Sequence, residues 1–282
     1  MANNPSAEAR HSPAFAWLLL AAGIAAAIGW VLFGQRIGDS ITIADIGTAM
    51  SVYYAVLFLP VIVIALIFGK LGRQSAWRAG QAPFRWMAIG AMTGIGGLSV
   101  AIGYAWLNGG LVRSPSNGIG FGLLLLGIAL TLFQVFAEEI LFRGWLQPAL
   151  IDRIGVPFGI VLGALLFAAF HLTAGVRAPL SLLNLALGGI WFGLLAQRSG
   201  GILAALAAHF AWNVVEDIGL GLTPNPGAGP LGGMIDLDLT GATLWGANAD
   251  GLNASIGTTL VLIALILPLL GRSAAAKVPA PI

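Results

Sequence analysis

Long apolar runs recur along almost the whole chain, and they constrain the fold more than any other feature. An α-helix needs about 20 apolar residues to cross the hydrocarbon core of a bilayer. Runs near this length, separated by Gly, Pro and charged residues, occupy the stretches 14–33, 52–68, 86–107, 119–150, 157–172, 180–196, 202–222 and 255–270. The sequence therefore predicts an all-α polytopic membrane protein with about eight transmembrane helices.

The composition supports the same class. Hydrophobic residues make up 58% of the chain and charged residues 9%, against about 25% charged in an ordinary soluble domain. This composition makes the lipid bilayer an expected partner. The net charge of +2 comes without a cluster of basic residues among aromatic ones, so nucleic acid is not an expected partner. The chain has no cysteine, which excludes disulfides, thiolate metal ligands and a cysteine nucleophile.

We expect one membrane domain at 14–271, between a polar N-terminal tail at 1–13 and a C-terminal tail at 272–282. The first apolar run lacks a convincing signal-peptide cleavage site, so we expect it to be a retained span. The longest loop, 223–254, contains three aspartates and no Lys or Arg. This charge pattern is typical of an outer loop.

Eight spans place both termini on one side of the membrane, and the basic residues indicate which side. With cytoplasmic termini, nine basic residues lie inside and three outside. The inner set is Arg10, Lys70, Arg73, Arg78, Arg85, Arg153, Arg198, Arg272 and Lys277, and the outer set is Arg36, Arg113 and Arg177. Because cytoplasmic loops are enriched in Lys and Arg, the sequence predicts a multi-pass protein of the cell membrane with cytoplasmic termini.

Three ionisable residues lie inside the fourth run, in the string AEEILFRGW: Glu138, Glu139 and Arg143. Each such group costs at least about 2.5–3.5 kcal/mol at the bilayer centre. On an α-helix Glu139 and Arg143, four residues apart, share a face, whereas Glu138 is rotated by about 100°. Arg143 is therefore predicted to neutralise Glu139 and leave Glu138 free; the alternative is a purely structural buried ion pair.

Three further polar residues reach a similar depth on other helices. Glu138 lies about 22 Å from the predicted cytoplasmic turn, and His171 lies about 21 Å into the next helix, at 1.5 Å per residue. His209 and Asn213 share a face at depths of about 12 and 18 Å. We expect these four side chains to meet in one layer. Glu216 continues the face of His209, but its place near the outer end predicts a solvated carboxylate.

This residue set favours amide hydrolysis by an activated water. The sequence has no GxSxG or HExxH motif and no aspartate pair within the spans, which argues against serine, HExxH-metallo and aspartyl mechanisms. A buried Glu138 can act as a base toward water, and a histidine within reach can orient that water. His209 and Asn213 resemble donors for a developing oxyanion.

Three motifs in order make the chain similar to the CAAX protease and bacteriocin-processing enzyme (CPBP) family of intramembrane endopeptidases. The motifs are EExxxR (Glu138, Glu139, Arg143), FxxxH (Phe167, His171) and HxxxN (His209, Asn213), within a core of about 121–213. The resemblance implies an eight-helix fold like that of CAAX prenyl endopeptidases. It also implies that Glu138 and His171 activate water, that His209 and Asn213 stabilise the oxyanion, and that the substrate is a membrane-associated protein or peptide.

Several alternatives remain open. The family has been called a metalloprotease family, and Glu138, His171 and His209 could form a His2Glu zinc site, although no cofactor is the favoured prediction because Asn213 would have no metal role. Buried Glu, His and Arg also build proton relays in proton-coupled transporters. A non-catalytic scaffold or immunity protein could retain the same residues.

Overall fold

The computed structural model describes residues 12–113, 119–222, 231–246 and 251–271. Within these ranges the helices are α1 (Pro13–Asp39), α2 (Ile46–Leu71), α3 (Pro83–Leu107), α4 (Phe121–Glu139), α5 (Gln147–Ile154), α6 (Val156–His171), α7 (Pro179–Ser199), α8 (Leu203–Asn213) and α9 (Ile256–Leu270). Nearly all of the two predicted tails, and residues 223–230 and 247–250 of the predicted outer loop, lie outside the described residues.

Two π-helical segments extend these helices. π1 (Ile140–Leu146) joins α4 to α5 without a break, and π2 (Val214–Gly219) continues α8. Apart from two short 3₁₀ helices, Thr243–Trp245 and Gly251–Ala254, the described residues therefore contain eight helical segments, and each overlaps one predicted apolar run. The assumption of regular α-helix along the whole of the fourth and seventh runs is wrong at these two segments, which begin directly after Glu139 and Asn213.

Five helical segments of the described chain are long and apolar enough to cross a membrane: α1, α2, α3, the continuous segment 121–154, and α7. α6 and α9 are apolar but shorter. Large apolar side chains such as Leu18, Val100 and Phe158 are exposed on the outside of the helices, as expected for a surface that faces hydrocarbon. The chain is thus an all-α integral membrane protein, while eight crossings and cytoplasmic termini stay predictions.

Small residues bring α3 against α8, the helix that carries His209. A Cβ atom at Gly90 would overlap the carbonyl oxygen of Ala204, and one at Gly94 would overlap that of Ala208. The spacing of these two glycines is the GxxxG pattern that allows helix backbones to approach closely. The contact fixes the position of α8 in the bundle.

The described part of the long loop folds back over the end of π2. β1 (Leu111–Arg113) pairs antiparallel with β2 (Leu237–Leu239), and the backbone N–H of Met234 donates to the carbonyl oxygen of Ile218 at 2.8 Å. The loop thereby covers the end of the bundle where π2 terminates, instead of leaving that end open to solvent.

Candidate active site

Glu139 connects an arginine and a histidine through a single carboxylate oxygen. Nη1 of Arg143 donates to Oε1 of Glu139 at 2.9 Å, as the four-residue spacing predicts. Nδ1 of His209 lies 2.9 Å from the same oxygen. The side chains of Glu139 and Arg143 are almost completely buried, so the pair is screened from water and each charge depends on the other.

Aromatic rings and a backbone carbonyl hold Arg143 in place. Its Nη2 donates to the carbonyl oxygen of Gly189 at 3.1 Å, and its guanidinium lies 4.7 Å from the ring centroid of Phe167 and 5.2 Å from that of Phe192. Cations over aromatic faces are stabilised by the ring quadrupole. Phe167 therefore has a direct contact with the charged cluster.

The two ring nitrogens of His209 have different surroundings. Because an ionised carboxylate only accepts hydrogen bonds, Nδ1 donates to Glu139, and Nε2 is left facing Oε2 of Glu138 at 3.8 Å. The imidazole also stacks on Phe192, with ring centroids 4.6 Å apart and the planes inclined by 20°. These contacts fix the ring orientation of His209.

Glu138 is held by one oxygen and has an unsatisfied second oxygen. Nε2 of Gln134 donates to its Oε1 at 3.0 Å. Oε2 has no hydrogen-bond partner among the described residues, and the side chain is 15% exposed. The Oε2 atom itself is buried, so it is an unsatisfied acceptor in the wall of a cavity, and a donor that reaches it would remove an unfavourable state.

His171 is oriented by its own helix. Its Nδ1 lies 2.9 Å from the carbonyl oxygen of Phe167, one turn earlier. Since a carbonyl oxygen accepts, Nδ1 is the donor in this contact. In the neutral ring, Nε2 is then the nitrogen that can accept a hydrogen bond or a proton. The ring also packs edge-on against Phe167 at 4.7 Å between centroids.

A polar cavity brings the four predicted residues together. Its walls include Glu138, His171, His209 and Asn213, from α4, α6 and α8. The space open to the centre of a water molecule is about 50 Å³, and about 10–15 Å³ suffices for one water. The cavity therefore has room for water next to Glu138, whereas the catalytic roles of the four residues stay predictions.

Glu216 is also part of this cavity, and its interpretation as a solvated carboxylate is wrong. It is 1% exposed, it lines the polar cavity, and its Oε2 accepts from Nε1 of Trp212 at 2.9 Å. The outer end of the seventh run is not open to solvent, because the described part of the long loop covers it.

A second, larger cavity meets the polar cavity at Glu138. This apolar cavity has about 370 Å³ open to the centre of a water molecule and lies among α1, α2, α4, π1 and α6. Its walls are mainly apolar and include Val31, Leu57 and Phe170, with Gln35 and Asp39 as polar members. Gln134, Glu138 and His171 line both cavities, so the boundary between them runs through the predicted catalytic residues.

The alternative zinc site at Glu138, His171 and His209 is not assembled in this arrangement, and the absence of a cofactor stays a prediction. Among the described residues, no group of three His, Asp or Glu side chains is placed to hold a metal ion. Nδ1 of His209 is occupied by Glu139, and its Nε2 faces the free oxygen of Glu138.

The sequence motifs missed several cavity residues. The structure adds Gln134, Asn184 and Glu216 to the polar lining. For two of them a signal existed, because Gln134 lies four residues before Glu138 and Glu216 lies three residues after Asn213, spacings that place side chains on one helix face. Asn184 is on another helix and had no such signal.

Comparison with known proteins supports the motif-based resemblance. Residues 120–215, which include α4 to α8 and the start of π2, match the family described as Rce1-like type II CAAX prenyl endopeptidases. A search of curated proteins finds no match. The matched range contains every residue of the three motifs, and the resemblance to the CAAX protease family is thereby confirmed. Residues 120–215 of this integral membrane protein therefore match the Rce1-like CAAX endopeptidase family, which is a family of proteases.

Proposed function

We propose that this chain is an intramembrane endopeptidase that hydrolyses a peptide bond of a membrane-associated protein or peptide. The observation that carries the proposal is the single cavity lined by Glu138, His171, His209 and Asn213 within the matched range. This cavity combines a carboxylate, two imidazoles and an amide, which are sufficient for general-base hydrolysis with oxyanion stabilisation.

In the first step Glu138 activates water. Gln134 occupies Oε1, so Oε2 is the oxygen that accepts a proton from water as the water oxygen attacks the scissile carbonyl carbon. Nε2 of His171 orients this water, because Nδ1 is committed to the carbonyl oxygen of Phe167. Fixing the base and the water before the reaction lowers the entropic part of the barrier.

In the same step negative charge develops on the former carbonyl oxygen. The side-chain amide of Asn213 donates to it, together with Nε2 of His209 when that nitrogen is protonated. Glu139 accepts from the opposite nitrogen of His209 and so stabilises the protonated ring. Donors of this kind act strongly in a dry site because they need no reorganisation during the reaction.

The tetrahedral intermediate then breaks its carbon–nitrogen bond. The proton taken up by Glu138 is returned to the leaving nitrogen, directly or through His171. The products are a carboxyl group and an amine, and Glu138 is again free to accept a proton. No redox step or external cofactor is needed, and a metal-free reaction is therefore part of the proposal.

The two adjoining cavities suggest separate routes for water and substrate. The apolar cavity suits an apolar segment of a substrate that approaches from the bilayer, and the polar cavity suits the scissile peptide group together with the attacking water. A chain in the apolar cavity reaches Glu138 and His171 because both residues line it. The same proposal places the protein in the cell membrane, where the lipid bilayer is its partner.

Comparative proteomics of membrane peptides tests the function even though the substrate is unidentified. Cells that express the wild type are compared with cells that express Glu138→Gln at equal levels in the membrane. We expect peptide ends that are present with the wild type and absent with the variant. Identical peptide sets, with both proteins inserted and folded, would contradict the proposal and favour a scaffold or transporter role.

A further inference from the structure

Glu216 is a buried carboxyl group that the proposed reaction does not use. It is 1% exposed and lines the polar cavity together with Glu138 and Asn213. Burying an ionisable group inside a membrane protein is costly, so such groups mark functional positions. A carboxyl group in this position can bind a donor group of a substrate that enters the cavity.

One oxygen of Glu216 is fixed and the other is unsatisfied. Nε1 of Trp212 donates to Oε2 at 2.9 Å, and Trp212 packs edge-on against Trp191 with ring centroids 6.2 Å apart. Oε1 is buried and has no hydrogen-bond partner among the described residues. A buried acceptor without a partner is unfavourable, so the carboxyl group is oriented for a donor that arrives with a ligand.

The position of Glu216 relative to Asn213 indicates where that donor lies. Three residues separate them along the chain, less than one helical turn, and both side chains line the polar cavity. An extended peptide advances about 3.3 Å per residue. If Asn213 binds the scissile oxyanion, Glu216 lies beside the adjacent residue of an extended substrate.

We propose that Oε1 of Glu216 accepts a hydrogen bond from a backbone N–H of the substrate, on a residue next to the scissile bond. A carboxyl group accepts such a bond in either protonation state, and backbone N–H groups are the donors that every peptide substrate carries. The inference deepens the proposed protease function and rests on it. Glu216 is then a substrate-binding residue that holds the chain in register with Glu138.

The test exchanges N–H for oxygen in the substrate and removes the acceptor in the protein. The probe is a synthetic peptide that spans a cleavage site found by the comparison of wild type with Glu138→Gln. Two further peptides each carry one ester. In the first it replaces the amide before the scissile amide, and in the second it replaces the amide after it. Each peptide is assayed in lipid vesicles with the wild type, Glu216→Gln and Glu216→Leu, and Glu216→Met replaces the leucine variant if that variant does not fold.

We expect one ester to lower kcat/KM about 10-fold with the wild type, the effect of one lost hydrogen bond to a strong acceptor. Glu216→Gln keeps a carbonyl acceptor and should show most of this penalty. Glu216→Leu has no acceptor, so the ester and the all-amide peptide should be cleaved at equal rates. Asp152→Asn, at the other end of the bundle, is a matched control that should keep the wild-type penalty.

Equal ester penalties in the wild type and Glu216→Leu would overturn the inference. In that case the protease function would still stand if the wild type cleaves the all-amide peptide and Glu138→Gln does not. If the wild type cleaves none of the peptides, the proposed function fails, and the role of Glu216 fails with it.

Discussion

His209 donates through Nδ1 to Oε1 of Glu139 at 2.9 Å, and this contact directs its other ring nitrogen toward Glu138. The second glutamate of the EExxxR motif is therefore more than a counter-ion for Arg143. It sets the orientation of a histidine in the cavity.

We expect substitutions in the Glu139–Arg143 pair to affect the stability of the protein and its cleavage activity differently. Glu139→Leu leaves the Arg143 guanidinium buried without its carboxylate, which should cost about 3–5 kcal/mol. Adding Arg143→Met removes the unpaired charge and should recover most of that loss. The double variant should still be impaired in cleavage because His209 has lost its acceptor.

Unfolding in a mild detergent and a cleavage assay measure the two effects. An equally unstable double variant would show that the pair does not act through charge compensation. Full activity of a stable double variant would show that His209 does not need Glu139.

Asn213→Ala should mainly affect the chemical step. Loss of one oxyanion donor typically lowers kcat about 10²- to 10³-fold, and KM should change little because the bond forms in the transition state. Steady-state kinetics in vesicles give both values. A raised KM with unchanged kcat would instead assign Asn213 to ground-state binding.

The position of α8 depends on the glycine contacts of α3. Gly94→Ala places a methyl group against the carbonyl oxygen of Ala208 and should destabilise the fold by about 1–3 kcal/mol, the usual cost of overpacking. Gly96→Ala is the matched control, since nothing lies within 4 Å of a Cβ atom at Gly96. Thermal unfolding of both variants makes the comparison, and equal stability would argue against the close approach of α3 and α8.

Chelation tests the metal-free mechanism. The donor atoms of His209 are directed at Glu139 and Glu138, so we expect 1,10-phenanthroline or EDTA to leave cleavage by the purified protein unchanged. An inactive apo-protein that recovers with zinc would reverse this assignment. The same assay with Glu138→Gln provides the background rate.

The sequence alone predicts the helices and the cavity-lining motif residues well, for a physical reason. Apolar runs near the thickness of a bilayer have few alternatives to helix, because backbone groups in hydrocarbon must bond within their own segment. The spacing of Glu139 and Arg143 likewise follows from helix geometry. Features that depend only on residues close together in the sequence can therefore be predicted from the sequence.

Features that depend on contacts between distant segments could not be predicted in the same way. The π segments after Glu139 and Asn213 contain no proline or other residue that would announce them. The burial of Glu216 depends on a loop whose Met234 bonds back to Ile218, a contact between segments that no spacing rule identifies. The involvement of Glu139 with His209 joins residues 70 positions apart.

Cleavage by purified Glu138→Gln in lipid vesicles tests the central claim most directly. The substrate is a peptide that the wild type cleaves, and intact folding is verified by an unfolding transition equal to that of the wild type. Loss of the general base should lower kcat by about 10² to 10⁴-fold. Turnover at the wild-type rate by the folded variant would contradict the account, because Glu138 could not then be the residue that activates water.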